Sequence, residues 1–327
     1  MNIIVKESYL GGGKNKAVIH LKFIATLLIT YSHMGGLFPR YGGLVTGGAI
    51  GDGLFFFCSG FTLFLGRQDS FINWYKRRIN RIYPIIIMWA LLSAVFFNWK
   101  WSITDLVTTP RYWFIPCIMI YYVIFYFIRT YMLDYLKLVA IIISCIILGS
   151  YFFVCDLNAS VMYADVDYMR IYYFSFMLLG ASVAIQKRQN VQLKKSIVYV
   201  LISLLAYYGC MGIYKIDSFY CRFQIISLIP LLSAIYWIYR MFEASAFDRI
   251  LEKKTGAVIY FISCLTLEIY MVQYAIFTDK LNSIFPVNIL LTYIVIIIAA
   301  YMLKCMSRLF SQIFSENAFD WKKIYRL

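Results

Sequence analysis

Long apolar runs separated by short polar or basic breaks dominate the chain. Ten runs stand out, at about 17–37, 44–65, 82–99, 112–129, 137–155, 171–186, 195–214, 221–240, 256–278 and 287–308. A helix needs about 20 residues to cross the hydrocarbon of a bilayer. None of the runs shows the period-two alternation of a barrel strand. Lipid offers no partners to backbone N–H and C=O groups, so spans of this kind must be helical. The pattern therefore predicts an all-α, polytopic membrane helical bundle of about ten transmembrane helices. Its parts are a cytoplasmic segment over 1–16, a transmembrane domain over 17–308 and a cytoplasmic tail over 309–327. The second run opens with "YGGLVTGGAIGDG" and reads as broken or partly re-entrant; the sixth is short for a span.

Composition agrees with this solvent. Of 327 residues, 62% are hydrophobic and 14% charged, against about half and a quarter in a soluble domain. Cationic residues then orient the chain. With a cytoplasmic N-terminus, 24 of the 31 Lys and Arg residues fall on the inner side and 7 on the outer. The positive-inside rule puts both termini in the cytoplasm and favours an even count. The net charge of +15 is thus a topology signal that needs no nucleic acid, and anionic membrane lipid is its partner. The polar, basic first sixteen residues lack the form of a cleavable leader. Eight cysteines, with no CxxC pair, read as buried free thiols; a disulfide among Cys155, Cys210 and Cys221 is the alternative. Two histidines and scattered carboxylates make no metal-binding spacing.

Candidate chemistry begins in the first run, at "KFIATLLITYSH". Lys22 and His33 are eleven residues apart, which is three helical turns plus about 20°, or roughly 16 Å along the axis. Thr26 and Thr30 fall on the same side, so a polar stripe must face the bundle interior. A seam of interhelical hydrogen bonds explains the threonines; an intramembrane imidazole points to function. His20, at the inner end, reaches water and carries no such argument. In "GDGLFFFCSGF", Asp52 has two readings: a partner that orients and activates His33, or a helix cap behind the glycines. The cluster "WYKRRINRIYP" reads either as an inner-face anchor or as an anion site, because Arg pairs grip phosphate bidentately. Glu268, in the ninth run, reads as a partner of Lys22, as a proton-relay group, or as a protonated interhelical hydrogen bond.

Taken in order, these motifs resemble the acyltransferase-3 family of bacterial integral-membrane O-acyltransferases. That family has ten core spans. Its first helix carries Arg, ten residues, then His; here Lys22 stands in the Arg place before His33, keeping the charge without the planar guanidinium fork. Its second helix carries an aspartate, a phenylalanine pair and Ser-Gly, matched by Asp52, Phe55, Phe56, Ser59 and Gly60. Its Arg-x-x-Arg-x-x-Pro is matched by Arg78, Arg81 and Pro84. "YWFIPCIMIYY" resembles its Trp-led fourth helix. "LTLEIYMVQ" resembles a later motif that commonly ends in histidine, where this chain has Gln273.

The resemblance implies transfer of an acyl group, usually acetyl, from cytoplasmic acyl-CoA (acetyl-CoA) to a hydroxyl of a cell-surface or lipid-linked glycan, in the bacterial plasma membrane. It implies His33 as general base or acyl carrier, Asp52 as its orienting partner, and Lys22, Arg78 and Arg81 as the binding groups for the donor. No metal is implied. The alternative is a transporter or export component for a polysaccharide precursor, using the same polar seam for proton coupling without acyl transfer.

Overall fold

In a computed structural model of the protein, which describes residues 15–40, 42–109, 111–159, 162–186, 190–315 and 318–326, each of the ten apolar runs carries helix, and there is no strand among the described residues. Most of the N-terminal segment, with Lys6 and Lys14, and the loop cations Lys187 and Arg188 lie outside the described residues. The helices are α1 (Lys16–Ser32), α2 (Gly48–Leu65), α3 (Phe71–Phe97), α4 (Ile103–Thr108), α5 (Phe114–Tyr131), α6 (Leu136–Val154) and α7 (Val166–Ala184). They continue as α8 (Leu193–Ile216), α9 (Leu228–Phe242), α10 (Ser245–Leu251), α11 (Lys254–Ser263), α12 (Thr266–Ile276), α13 (Val287–Ile313) and α14 (Trp321–Tyr325).

Seven of these, α2, α3, α5, α6, α8, α9 and α13, lie in segments long and apolar enough to cross a membrane; α11 and α12, bent by 75° at their break, make an eighth if taken as one span. The difference from the ten runs of the sequence lies in α1, only 17 residues long, and α7, which carries Asp167 and Arg170 near its start. Two boundaries also moved. Helix α3 begins at Phe71 rather than near 82, so the whole basic cluster lies on it. Lys and Arg are good helix formers, and Asp69 ties the start by accepting from the Ser70 N–H at 2.9 Å and from Arg77 at 2.7 Å. Those bonds, the Arg77 one first, hold the Asp69 carboxyl below the usual carboxylate range. Its other end closes on Asn98 at φ 54°, whose N–H returns to the Ser93 carbonyl, a left-handed cap that Asn tolerates. In the second run, the glycines at 42–44 form a short 3-10 turn and α2 then runs unbroken from Gly48.

The described residues form two compact units, one of 15–25, 49–67 and 124–260, the other of 26–48, 68–123 and 261–326. In the first unit, α6 packs on α7, α8 on α9, and α7 on α9. Helices α2 and α7 approach through glycine: a Cβ on Gly60 would strike the Met177 carbonyl, and one on Gly180 the Phe57 carbonyl. Small residues permit such close contact, which is the main source of helix adhesion where lipid removes the hydrophobic drive. Arg129 closes the end of α2 by donating to the Leu63 and Gly66 carbonyls at 2.9 and 2.6 Å, groups that a helix end otherwise leaves unpaired. His20 is buried here, contrary to its expected contact with water. Its Nε2 lies 3.1 Å from the Phe247 carbonyl and its ring stacks on Phe242. All eight cysteines are free thiols, so the disulfide alternative falls.

In the second unit, α3, α12 and α13 pack on one another. Tyr112, fully buried, joins α3 to α12: its hydroxyl accepts from Trp89 Nε1 at 2.7 Å and donates to the Met271 carbonyl at 2.8 Å. Tyr293 of α13 donates to the Leu27 carbonyl of α1 at 2.9 Å, and Asn288 to the Leu37 carbonyl at 2.8 Å. The segment around His33 is therefore tied down on both sides.

Candidate functional site

His33 sits one residue beyond α1, in a turn closed by its own N–H on the Thr30 carbonyl at 3.2 Å. Thr26 and Thr30, the hydroxyls of the expected stripe, are buried, as an inward-facing seam requires. Two consecutive residues of α12 hold the imidazole. Gln273 Nε2 is 3.2 Å from Nδ1, and the Tyr274 hydroxyl is 2.8 Å from Nε2. The rings of His33 and Tyr274 lie 4.9 Å apart. The two partners differ in setting, for Gln273 is 0% exposed and Tyr274 39%. One side of the ring is sealed and the other faces an accessible phenol.

This arrangement has a chemical consequence. An amide N–H on Nδ1 leaves that nitrogen without a proton, so Nε2 carries the hydrogen and donates to Tyr274. Turning the Gln273 amide over puts Oε1 on Nδ1 instead; the proton then sits on Nδ1, and Nε2 holds the free lone pair. The Gln273 Oε1 is buried and has no hydrogen-bond partner among the described residues. Gln273 is thus suited to either tautomer, and an acceptor is at hand when the ring becomes an imidazolium.

Glu268 lies in the first turn of α12 and is buried. Its carboxylate meets Lys304 Nζ of α13 at 2.9 Å, and the same ammonium donates to the Cys264 carbonyl at 2.6 Å. The interhelical bond weighed from the sequence is present, and its partner is Lys304 of α13.

The basic cluster separates into roles. Arg77 is committed to Asp69. Arg78 is half-buried, with its guanidinium 4.8 Å over the Trp74 ring and 6.0 Å from Tyr122. Arg81, one turn on, is exposed. Both belong to the same unit as His33. Asp52 and Lys22 belong to the other. Asp52 is the fifth residue of α2, too deep to cap it, and its Oδ2 accepts from the Tyr173 hydroxyl at 3.4 Å. Lys22 is half-buried on α1. Reasoning from sequence did not single out Tyr274 or Lys304. Tyr274 adjoins the last residue of a recognised motif, and Lys304 stands inside the last apolar run; those were the available signals.

A family model described as an acyltransferase domain matches residues 15–305, which takes in every residue of this site. Neither a search of curated proteins nor one of solved structures finds a match for the chain.

Proposed function

The chain belongs to the acyltransferase-3 family, and on that premise we propose that this multi-pass membrane acyltransferase carries acetyl from cytoplasmic acetyl-CoA to a hydroxyl of a cell-surface or lipid-linked glycan, in a bacterial plasma membrane. The observation that supports it most is the grip on His33, whose two ring nitrogens meet Gln273 and Tyr274 at 3.2 and 2.8 Å. A side chain held at both nitrogens is oriented, and an oriented imidazole is the commonest general base.

In this reading the acceptor hydroxyl takes the place of the Tyr274 hydroxyl at Nε2. His33 removes its proton while the oxygen attacks the thioester carbonyl. The C–S bond breaks, and the CoA sulfur leaves with the proton from the imidazolium. Gln273 Oε1 serves the charged ring. Arg78 and Arg81 grip the phosphates of CoA, Arg78 with its guanidinium carbon 4.8 Å over the Trp74 ring. Asp52 and Lys22 are retained from the family pattern, Asp52 as an electrostatic support for the base and Lys22 as a further donor-binding cation.

The test is to compare the masses of glycans from cells with the wild-type chain and with His33→Ala. Purified protein in liposomes is then assayed with labelled acetyl-CoA. Wild type should add one acetyl mass and release CoA. Removal of a general base costs about 10²–10⁴ in rate, so the variant should be silent while inserting normally. Near-normal acetylation by His33→Ala would make the imidazole structural and end this reading.

A further inference from the structure

The break between α11 and α12 is where the chain sets the direction of the helix that holds His33. The two helices meet at 75°. Residues 264 and 265 between them belong to neither. A break of that kind leaves carbonyls without helical partners. One of them, on Cys264, accepts from Lys304 Nζ at 2.6 Å. The same ammonium reaches Glu268 Oε1 at 2.9 Å, in the first turn of α12. Lys304 therefore bridges the last carbonyl before the bend and a carboxylate just after it, from a third helix. Glu268 is 2% exposed, and the Lys304 side chain 15%. Solvent screens such a pair little.

From Glu268, α12 runs without interruption through Gln273 and Tyr274. The bend and the grip on the imidazole lie within two turns of one helix. Tyr112, bonded to the Met271 carbonyl, is a second tie on the same helix, but it does not touch the bend. We propose that Lys304 and Glu268 are positioning residues for His33: their ion pair fixes the angle at which α12 leaves the bend, and so keeps Gln273 and Tyr274 on the two ring nitrogens. The Lys304 ammonium itself acts only through α12. The inference rests on His33 being the reacting imidazole, but its physical content is the order of the clamp.

Histidine scarcity makes it measurable without any acceptor. The chain has only two histidines, and His20 lies in the other compact unit, buried against Phe242 and Phe247. Diethyl pyrocarbonate, with peptide mass spectrometry, then reads His33 against an internal control in the intact protein. Lys304→Met removes the bridge on both sides of the bend. Glu268→Gln keeps a neutral acceptor for Lys304 and leaves the Cys264 contact. The expected result is a several-fold rise in His33 carbethoxylation in Lys304→Met, a smaller rise in Glu268→Gln, and no change at His20. In turnover assays, both variants should lose kcat in that order and keep the KM for acetyl-CoA, because the donor-binding arginines lie on α3. If Lys304→Met does not fold, Lys304→Met combined with Glu268→Gln removes the pair without leaving a buried charge, and Glu268→Gln alone is read by the same criterion. Unchanged His33 reactivity in folded variants would overturn the proposal. So would an equal rise at both histidines, which would mean general loosening. Loss of activity in His33→Ala bears on the base assignment alone, so the two readings fail separately.

Discussion

Gln273→Leu tests the clamp from its sealed side. Leucine is close to glutamine in volume and fits a fully buried position. The substitution removes the amide that meets His33 Nδ1 at 3.2 Å, and with it the Oε1 that has no partner among the described residues. A net hydrogen bond is worth about 0.5–1.5 kcal/mol, while an unsatisfied buried polar group costs about 1–3 kcal/mol. Stability should therefore stay level or rise, by up to about 2 kcal/mol. Activity should move the other way. The ring keeps Tyr274 on Nε2 and loses the group that sets its tautomer, and 0.5–1.5 kcal/mol of lost orientation corresponds to roughly two- to tenfold in kcat. Acetyl-CoA KM should not change, since Gln273 is remote in role from donor binding. The assays are thermal unfolding in detergent and CoA release under saturating donor. A fall in melting temperature with full kcat would refute the argument, because it would mean that Oε1 is satisfied and that Gln273 serves packing alone.

Arg78→Ala or Arg81→Ala should raise the KM for acetyl-CoA with little effect on kcat, since a phosphate grip is uniform binding. At about 1.5–3 kcal/mol for each charge-assisted contact, the rise is roughly tenfold to a hundredfold, and an unchanged KM in inserted protein would reduce the cluster to a membrane-surface anchor. Gly60→Ala should destabilise by about 1–3 kcal/mol through overpacking against the Met177 carbonyl, measured as a lower melting temperature in detergent. Gly180→Ala should do the same, and the double variant should lose less than the sum, because both act at one helix contact; full additivity would show two independent sites.

What the sequence revealed divides along a physical line. Periodicity within one helix is visible from residue spacing alone, so the inward stripe of Thr26 and Thr30 was legible, and so was the helical, membrane-spanning character of the chain. Gly60 was visible only as part of a motif; its reason, the passage of the Met177 carbonyl where a Cβ would stand, needs the facing helix. Partners far apart along the chain leave no local trace. Gln273 and Tyr274 lie 240 and 241 positions from His33, and nothing in the spacing of either segment selects the other. Lys304 misled for a sharper reason. A lysine near the end of an apolar run satisfies the positive-inside statistic whether it reaches toward headgroups or turns inward to a carboxylate, and Lys22 was the only cation the sequence reading set against Glu268. Finding the partner is a question of desolvation. A buried carboxylate keeps its charge only beside a cation that is equally withdrawn from water and has its other donors satisfied. Lys304 is itself largely withdrawn from water and makes a second bond, to the Cys264 carbonyl, a group freed by the bend itself. The break in the helix thus creates the acceptor that makes the ion pair tolerable, and the ion pair holds the break; neither half could be read without the other.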